Sequence, residues 1–471
     1  MVILGYLVCL GYVLGLIFLI GPLVKTIFNI ETSRKVIHTM LFFEWIFIDI
    51  FLKGTIHQIT IPVIFVFLNT LSYKFNIYKS VERKEDNHKG TIYFAIAITI
   101  LLGLAYIFPS LYTASGVAVF CLTFGDGFAA LVGYNTKSKK LHLNKSLNGF
   151  IACIVSTILS ILAFSMIYNI EISIVDIVLL GFITAILELV GKGLDNFTVS
   201  IGTFVFSILF INYPSQTLTI SCICAIAVFL IVFFTKAIDF YGSLTSFVVV
   251  FLFNYFGSTK ALIFLLIAYF SVFSISLYKK AIKKHQAKSE RRNFKQILIN
   301  GGLGTAFVII YGVTGNIKFM ILSIIAIGGC FVDSIASDIG VLSSKTAYDF
   351  LKHKQVPKGI SGGITLLGWV AAFIASLLVA ILACFIFKLR CGVAIFIFLM
   401  CSLQTSIDTA LGSLIQAKYH CPSCKHIVEK RMHCSNETKL IEGVNWVDNN
   451  TVNALSSLIT VIISLMFFGV L

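Results

Sequence analysis

Apolar runs of roughly twenty residues, the length that matches the hydrocarbon thickness of a bilayer, follow one another along almost the whole chain and are separated only by short polar loops. A soluble core has no place for so many of them. Of 471 residues, 58% are hydrophobic and only 12% are charged, and the mean hydropathy is +0.97. The pattern predicts an all-α polytopic integral membrane protein. The opening stretch from Ile3 to Val24 is too long and uninterrupted for a signal-peptide core, and it reads as a retained first span.

The net charge of +15 does not form one patch, which argues against a nucleic-acid partner. The Lys and Arg residues sit in short loops: Lys25 to Lys35, Lys74 to Lys89, Lys137 to Lys145, Lys279 to Lys295, Lys345 to Lys358 and Lys418 to Arg431. These read as positive-inside signals. Between successive basic loops fall pairs of spans at 39–52 with 55–72, 91–108 with 111–134, 298–315 with 319–340, and 362–387 with 391–417. Six more fit near 149–168, 173–190, 197–212, 216–235, 237–257 and 260–279. With the first span and 451–471, the sequence predicts roughly sixteen transmembrane helices in two bundles, both termini on the non-cytosolic side and the motif loops facing the cytosol. The Tyr213-Pro214 turn makes a seam, giving units 1–212 and 213–471.

Acids and glycines stand in two places where a membrane protein should have neither. In the first half Asp126 lies between Gly125 and Gly127 at the end of a span, followed by Ala129, Ala130 and Gly133. Small residues at helical spacing let a helix or ligand come close to the backbone, and an intramembrane acid marks function by default. Downstream, Lys139, Lys140, Lys145 and Ser146 precede Gly149 and the next span, the makings of an anion site at a helix N-terminus. A carboxylate beside such a loop suits Mg²⁺ and phosphate held side by side.

In the second half Asp333 and Asp338 share one helix but point about 140° apart, so on a regular helix they cannot both ligate one ion. Lys358 and Ser361 stand among Gly359, Gly362 and Gly363 just before a helix, a segment suited to wrap phosphate with backbone amides. Asn300, Gln404, Asp408 with Gly412 and Gln416, and Asp448 with Asn449 add polar groups inside or beside the late spans. Together they exceed what interhelical hydrogen bonding requires.

Most of the twelve cysteines lie singly in apolar helices, as small buried hydrophobes. Cys421 and Cys424, followed by His433 and Cys434, offer roughly the ligands of a structural zinc site that could clamp the segment carrying Asp448 and Asn449. The adjacent His-Cys pair is not properly spaced, and that favours the competing reading, a reduced-thiol loop without metal.

Several motifs in order carry a resemblance over residues 1–212: Arg34-Lys35…His38, Gly90 to Tyr93 within a loop from Arg83, Gly125-Asp126…Gly133…Lys145-Ser146…Gly149, and Glu188…Gly193…Asp195-Asn196…Thr198. This half resembles the phytol kinase and dolichol kinase family. The resemblance implies phosphoryl transfer, typically from CTP, to a lipid alcohol, with Asp126, Lys145, Glu188 and Asp195 in metal and nucleotide binding. Two positions depart from the family pattern, Gly127 where Ser is frequent and Asn148 where Glu is usual, so no base role is carried onto Asn148. Residues 237–471 resemble the phytyl-phosphate kinase family through Asn300 to Gly302, Asp333 to Gly340, Val356 to Gly363, Asp408 to Gly412 with Gln416, and Glu442 to Asn453. Here Asp338 replaces a more usual Glu, Ser334 a Thr, and Ile360 a common Thr.

Together the resemblances imply a fused pair of kinases converting an isoprenoid alcohol such as phytol or geranylgeraniol to its monophosphate and then its diphosphate. The implied partners are Mg²⁺, CTP or another nucleoside triphosphate, the lipid and the bilayer. The implied catalytic residues are Asp126, Lys145, Asp333, Asp338 and Lys358. The implied binding residues are Arg34, Lys35, His38, Gly125, Ser146, Gly149, Asn196, Asn300, Gly359, Gly362, Gly363 and Asn449, and the implied metal ligands are Asp126, Glu188, Asp195, Asp333, Asp408 and Asp448. Two rival classes share parts of this pattern. A transporter favours broken helices near the midplane, whereas these acids sit at span ends; a CTP-dependent cytidylyltransferase releases pyrophosphate rather than CDP.

Overall fold

The protein was described from a computed structural model covering residues 1–75, 77, 89–191, 193–236, 238–282 and 293–468. The basic loops at Lys74–Lys89 and Lys279–Lys295 fall largely outside the described residues, as does the start of the Arg83–Tyr93 motif. The chain is an all-α polytopic membrane protein, with short strands confined to loops. It divides into two compact units, Met1–Thr219 and Ile220–Leu471.

Among the described residues thirteen helices are long and apolar enough to cross a membrane, against the roughly sixteen predicted. Each difference has a local cause. The expected span 39–52 is broken at Leu41 into Ile30–Met40 and Phe42–Phe51. Neither half reaches across alone, at about 1.5 Å of rise per residue. Ile174–Val190 has 17 residues, at the short end of a crossing. The runs 237–257 and 260–279 form the single stretch Phe240–Ile282, which loses helical geometry at Ser258, where φ is 73°. That break falls between the two predicted runs.

In the first unit the N-terminal span Val2–Ile27 lies antiparallel to the segment formed by Ile30–Met40 and Phe42–Phe51. Tyr6 Oη meets His57 Nδ1 at 2.9 Å, Tyr12 Oη donates to Met40 O at 2.8 Å, and Ser33 Oγ donates to Gly21 O at 2.9 Å. The two short helices thus run back in tandem along that span. Caps set the other ends: Ser146 starts Leu147–Tyr168, Asn169 ends it in left-handed geometry, and Ser173 starts Ile174–Val190. The span Pro109–Asn135 carries Asp126 and has 67% of its apolar window buried, whereas the unit's other candidate spans reach at most 39%. A helix this extensively buried is the core of its bundle, so the acid lies inside the central helix, which runs on from Gly127 to Asn135 beyond it rather than ending there as the sequence suggested.

In the second unit the central helix is Ile317–Gly340, 72% buried over its window, and it carries Asp333 and Asp338. Phe294–Thr314, Leu366–Phe387, Cys391–Leu414 and Asn449–Phe467 pack around it. The loop before Leu366 contains a two-stranded hairpin, Ala347–Asp349 with Lys354–Val356. The segment between Leu414 and Asn449 folds into Lys418–His420 paired with Ile427–Val428 and Lys439–Glu442, and a second hairpin of Met432–His433 with Asn436–Glu437.

Candidate functional site

The central helix of the first unit winds as a π-helical turn over Cys121–Asp126 before resuming as Gly127–Asn135. Such a bulge turns side chains away from ordinary helical spacing and recurs at functional sites. Here it presents the buried Asp126 to the Ile30–Met40 helix, where Lys35 Nζ lies 2.5 Å and His38 Nε2 3.2 Å from Asp126 Oδ2. His38 Nε2 also lies 3.2 Å from Leu122 O. With two acceptor oxygens facing it, Nε2 carries the proton of the neutral ring, and Nδ1 is left as the acceptor.

Glycines let this assembly close. A Cβ on Gly149 would stand 2.6 Å from Ala129 O, so the Gly127–Asn135 and Leu147–Tyr168 helices meet at their backbones. Ser146, the N-cap, accepts from Gly149 N at 3.1 Å. Lys145 in the same loop reaches Glu188 Oε1 at 2.8 Å and Asp195 Oδ2 at 3.4 Å, and it also donates to the Glu188 carbonyl. Asp126, Glu188 and Asp195 can each aim one carboxylate oxygen so that all three lie within 4.8 Å of one another. Asp195 Oδ1 is buried without a hydrogen-bond partner. An all-oxygen set with an orphaned carboxylate oxygen fits a hard divalent cation such as Mg²⁺. Asn148 points away, its Nδ2 donating to Thr136 Oγ1 at 3.1 Å.

Two cavities meet at this point. The polar one, about 490 Å³, is lined by Lys35, Asp126, Lys145, Ser146, Glu188 and Asp195 among others. The second is apolar, lined by residues such as Ile37, Trp45, Phe65, Phe94, Ala95 and Ile98. Arg34, Gly90, Thr91 and Asn196 line both, and Asn196 Nδ2 donates to Gly90 O at 2.7 Å across the neck. His38 lines the apolar cavity while its ring touches Asp126 of the polar one. No residue pattern signals this apolar cavity, because its walls come from helices distant in sequence. Asn69 and Glu44, absent from the sequence reading, line it too, Glu44 beside the Cys9 thiol.

In the second unit the predicted residues separate into three groups. Asp333 lies within range of the Asp408 charge. Ser456 Oγ donates to Asp408 Oδ2 at 3.0 Å, and Asn453, with its amide oriented to satisfy both ends, donates to Asp408 Oδ2 at 3.1 Å and Asn449 O at 3.0 Å. Asn300 Oδ1 lies beside the same Asn453 amide, 3.5 Å from it. Asp338 is elsewhere, held by Lys279 at 2.6 Å and Ser276 at 2.5 Å. Asp448 is the N-cap of Asn449–Phe467, accepting from Thr451 N at 2.9 Å, and its carboxylate is not joined to Asp333.

The glycine segment forms the third group. Gly359 and Gly362 have φ of 84° and 85°, and a Cβ on Gly362 would meet Ser413 Cα at 2.5 Å. Lys358 Nζ donates to Ser343 O. Three amides of the segment are already engaged: Ile360 N with Pro357 O, Gly363 N with Ile360 O, and Ser361 N with Glu429 Oε1 at 2.6 Å. Gln404 Nε2 donates to Cys330 Sγ at 3.2 Å, an interhelical bond.

Residues 223–461, just over half of the chain, match the family described as integral membrane protein DUF92. The chain belongs to that family. This DUF92 protein is also 30% identical over 207 residues to protein PGR of Arabidopsis thaliana, covering 39% of this chain and 71% of the relative. It is 26% identical over 185 residues to a phytol kinase of Synechocystis, covering 37% and 76%. With protein VTE6, chloroplastic, of Arabidopsis thaliana it shares 26% identity over 205 residues, 41% of this chain and 54% of the relative. These similarities support a phytol kinase-like relationship for the DUF92 chain. No solved structure matches it.

Proposed function

We propose that the first unit phosphorylates an isoprenoid alcohol from CTP or another nucleoside triphosphate, and that the second adds a further phosphate to the monophosphate. The observation that carries the first step is the pair of cavities, one apolar and one lined by carboxylates and lysines, that share Arg34, Gly90, Thr91 and Asn196. A lipid tail in the apolar cavity puts its hydroxyl at the neck, and a triphosphate in the polar cavity puts its γ-phosphate at the same place.

Phosphoryl transfer needs positioning and charge more than a covalent nucleophile. Asp126, Glu188 and Asp195 would hold Mg²⁺, which when bound supplies positive charge to the phosphates. Lys35 and Lys145, now paired with these acids, swing onto phosphate oxygens. The alcohol oxygen bonds to the γ-phosphorus, the bond from that phosphorus to the β-bridging oxygen breaks, and the nucleoside diphosphate leaves. The hydroxyl proton passes to His38 Nδ1, and Asp126, on the other ring nitrogen, stabilises the imidazolium.

For the second step the resemblance and the grouping of Asp333, Asp408, Asn300, Asn453 and Asn449 support a phosphate-handling site. Both sites face the cytosol in this reading, where nucleotides are.

Incubating purified protein with labelled CTP and a panel of prenols, and resolving monophosphate, diphosphate, CDP and pyrophosphate, tests all of this. Stepwise appearance of mono- and then diphosphate with CDP is expected. Pyrophosphate as the co-product would make the protein a cytidylyltransferase, and no turnover of any prenol or prenyl phosphate would end the kinase reading.

A further inference from the structure

The segment between Leu414 and Asn449 lies outside the spans and is built from strands of two to four residues. Hairpins this short bury too little surface to hold themselves together, and small folds of this kind need a crosslink or a metal. Each of the two hairpins ends in a tip that carries potential ligands.

The first tip joins Lys418–His420 to Ile427–Val428, with His420 opposite Ile427. Cys421 N donates to His426 O at 3.0 Å and Lys425 N to Cys421 O at 2.9 Å. Lys425, just after Cys424, takes a φ of 56°. The chain therefore wraps tightly around the two thiols and brings Cys421 and Cys424 to one side. The second tip joins Met432–His433 to Asn436–Glu437, with His433 opposite Asn436. Its two turn residues, Cys434 and Ser435, have φ of 51° and 61°, the signature of a type I′ turn. That turn is what makes an adjacent His-Cys pair usable, because it lets the Cys434 thiol fold back beside the His433 ring.

The two tips face each other. Cys424 Sγ lies 3.4 Å and Cys434 Sγ 3.3 Å from His433 Nδ1. One ligand atom from each of Cys421, Cys424, His433 and Cys434 falls within 4.8 Å of the others. Four ligands around tetrahedral zinc, with bonds of about 2.0–2.3 Å, stand roughly 3.5–4 Å apart, so small side-chain rotations complete the geometry. The four cysteine and histidine ligands are the soft set that zinc prefers, and all three thiols are free of disulfides. Glu429 lies in the connection from the first hairpin to the second, and its Oε1 accepts from Ser361 N at 2.6 Å.

We propose that Cys421, Cys424, His433 and Cys434 bind one structural Zn²⁺, and that the closed pair of hairpins holds Glu429 on the Ser361 amide of the glycine segment. The proposal stands apart from the kinase reading, since neither the metal nor its effect on Ser361 requires a substrate. Full-length protein purified in detergent without chelator should contain about one zinc per chain. The double variant Cys421→Ser/Cys424→Ser should contain less than about a tenth of that. Where the variant is poorly folded, wild-type protein reconstituted with Co²⁺ answers instead, by thiolate-to-cobalt charge-transfer absorption at one equivalent. Stripping zinc should speed amide hydrogen exchange over Ser361–Gly363 and over 418–442, leaving the Ile317–Gly340 helix unchanged. Wild-type protein with no zinc and no cobalt–thiolate absorption, whether its thiols are reduced or oxidised, overturns the site. Zinc present but exchange at Ser361–Gly363 unmoved by its removal overturns the coupling to Glu429.

Discussion

His38 Nε2 stands 3.2 Å from Asp126 Oδ2, and the imidazole that makes this contact also lines the apolar cavity. A ring so placed can take a proton from an alcohol on one side while a carboxylate stabilises its charge on the other. His38→Ala should slow phosphorylation of the alcohol by about 10²–10⁴-fold and leave phosphorylation of supplied monophosphate unchanged. Asp126→Asn should abolish the same step and spare the other. Assaying each purified variant with the two lipids separately checks both, and normal alcohol kinase activity in folded Asp126→Asn would remove Asp126 from the mechanism.

The apolar cavity gives a test that leaves the reacting groups untouched. Ala95 is buried in its wall on the Gly90–Ile107 helix, and Ala95→Trp would fill the space a lipid tail needs. KM for a long prenol should rise by about tenfold or more, as expected when more than 1.4 kcal/mol of uniform binding is lost. A short prenol should be far less affected. Equal changes for both lengths would mean that the tail binds elsewhere.

In the second unit Asp333 and Asp338 sit on one helix but in different surroundings, Asp333 within range of the Asp408 charge and Asp338 against Lys279 and Ser276. Asp333→Asn should make monophosphate accumulate, with the alcohol step intact. Asp338→Asn should act mainly on stability, because it removes a partner of Lys279. Chromatographic ratios of mono- to diphosphate alongside melting temperatures separate the two outcomes, and an unchanged ratio in Asp333→Asn would exclude that carboxylate from the second step.

The apolar runs and basic loops were enough to read an all-helical membrane protein, and even the break near Ser258 falls between two predicted runs. The tandem pair Ile30–Met40 and Phe42–Phe51 was harder to read, because it depends on a break at Leu41 that no proline or glycine marks. At the site, Asp126 and Lys145 stood out through their glycine-rich context, whereas Glu188 and Asp195 entered only through a family resemblance; nothing in their spacing says that they meet Lys145. The apolar cavity, Glu429 on Ser361 and Ser456 on Asp408 were invisible in the sequence. Each depends on packing between segments far apart in the chain, which periodicity does not report.

Close backbone approach predicts a stability effect at Gly149. A methyl group there would meet Ala129 O at 2.6 Å and Gly133 Cα at 3.3 Å, and since those atoms belong to a neighbouring helix they cannot rotate away. Gly149→Ala should force the helices apart, costing about 1–3 kcal/mol as overpacking typically does, and should displace the Ser146 cap beside the polar cavity. Lower thermal stability together with weaker nucleotide binding is the expected pair of results. A variant as stable as wild type would show that the helices do not meet at Gly149.

Glu442 supplies the pH dependence that is easiest to isolate, since it lies outside the spans and links two loops of the second unit. Hydrogen bonds from Lys352 and Lys354, each at 2.7 Å, hold its carboxyl down to about 2. A carboxylate whose folded pKa is lowered stabilises the fold fully above its ordinary value, about 4.3, and that contribution is lost as pH falls toward the folded value. The loops carrying Lys352, Lys354 and Glu442 should therefore loosen between about pH 4.5 and 2. Asp349 shifts in the same direction: burial alone would raise it, but the Ser413 hydroxyl, the amides of Leu351 and Lys352, and Lys418 hold it down. The wild-type profile therefore contains both groups, and the difference between wild type and Glu442→Gln isolates one. In hydrogen exchange corrected for intrinsic rates, Glu442→Gln should already exchange faster at pH 6 over 352–354 and 439–442. The gap between the two proteins should close as pH falls through this window. A gap that stays constant down to pH 2 would mean that the ion pairs with Lys352 and Lys354 do not stabilise these loops.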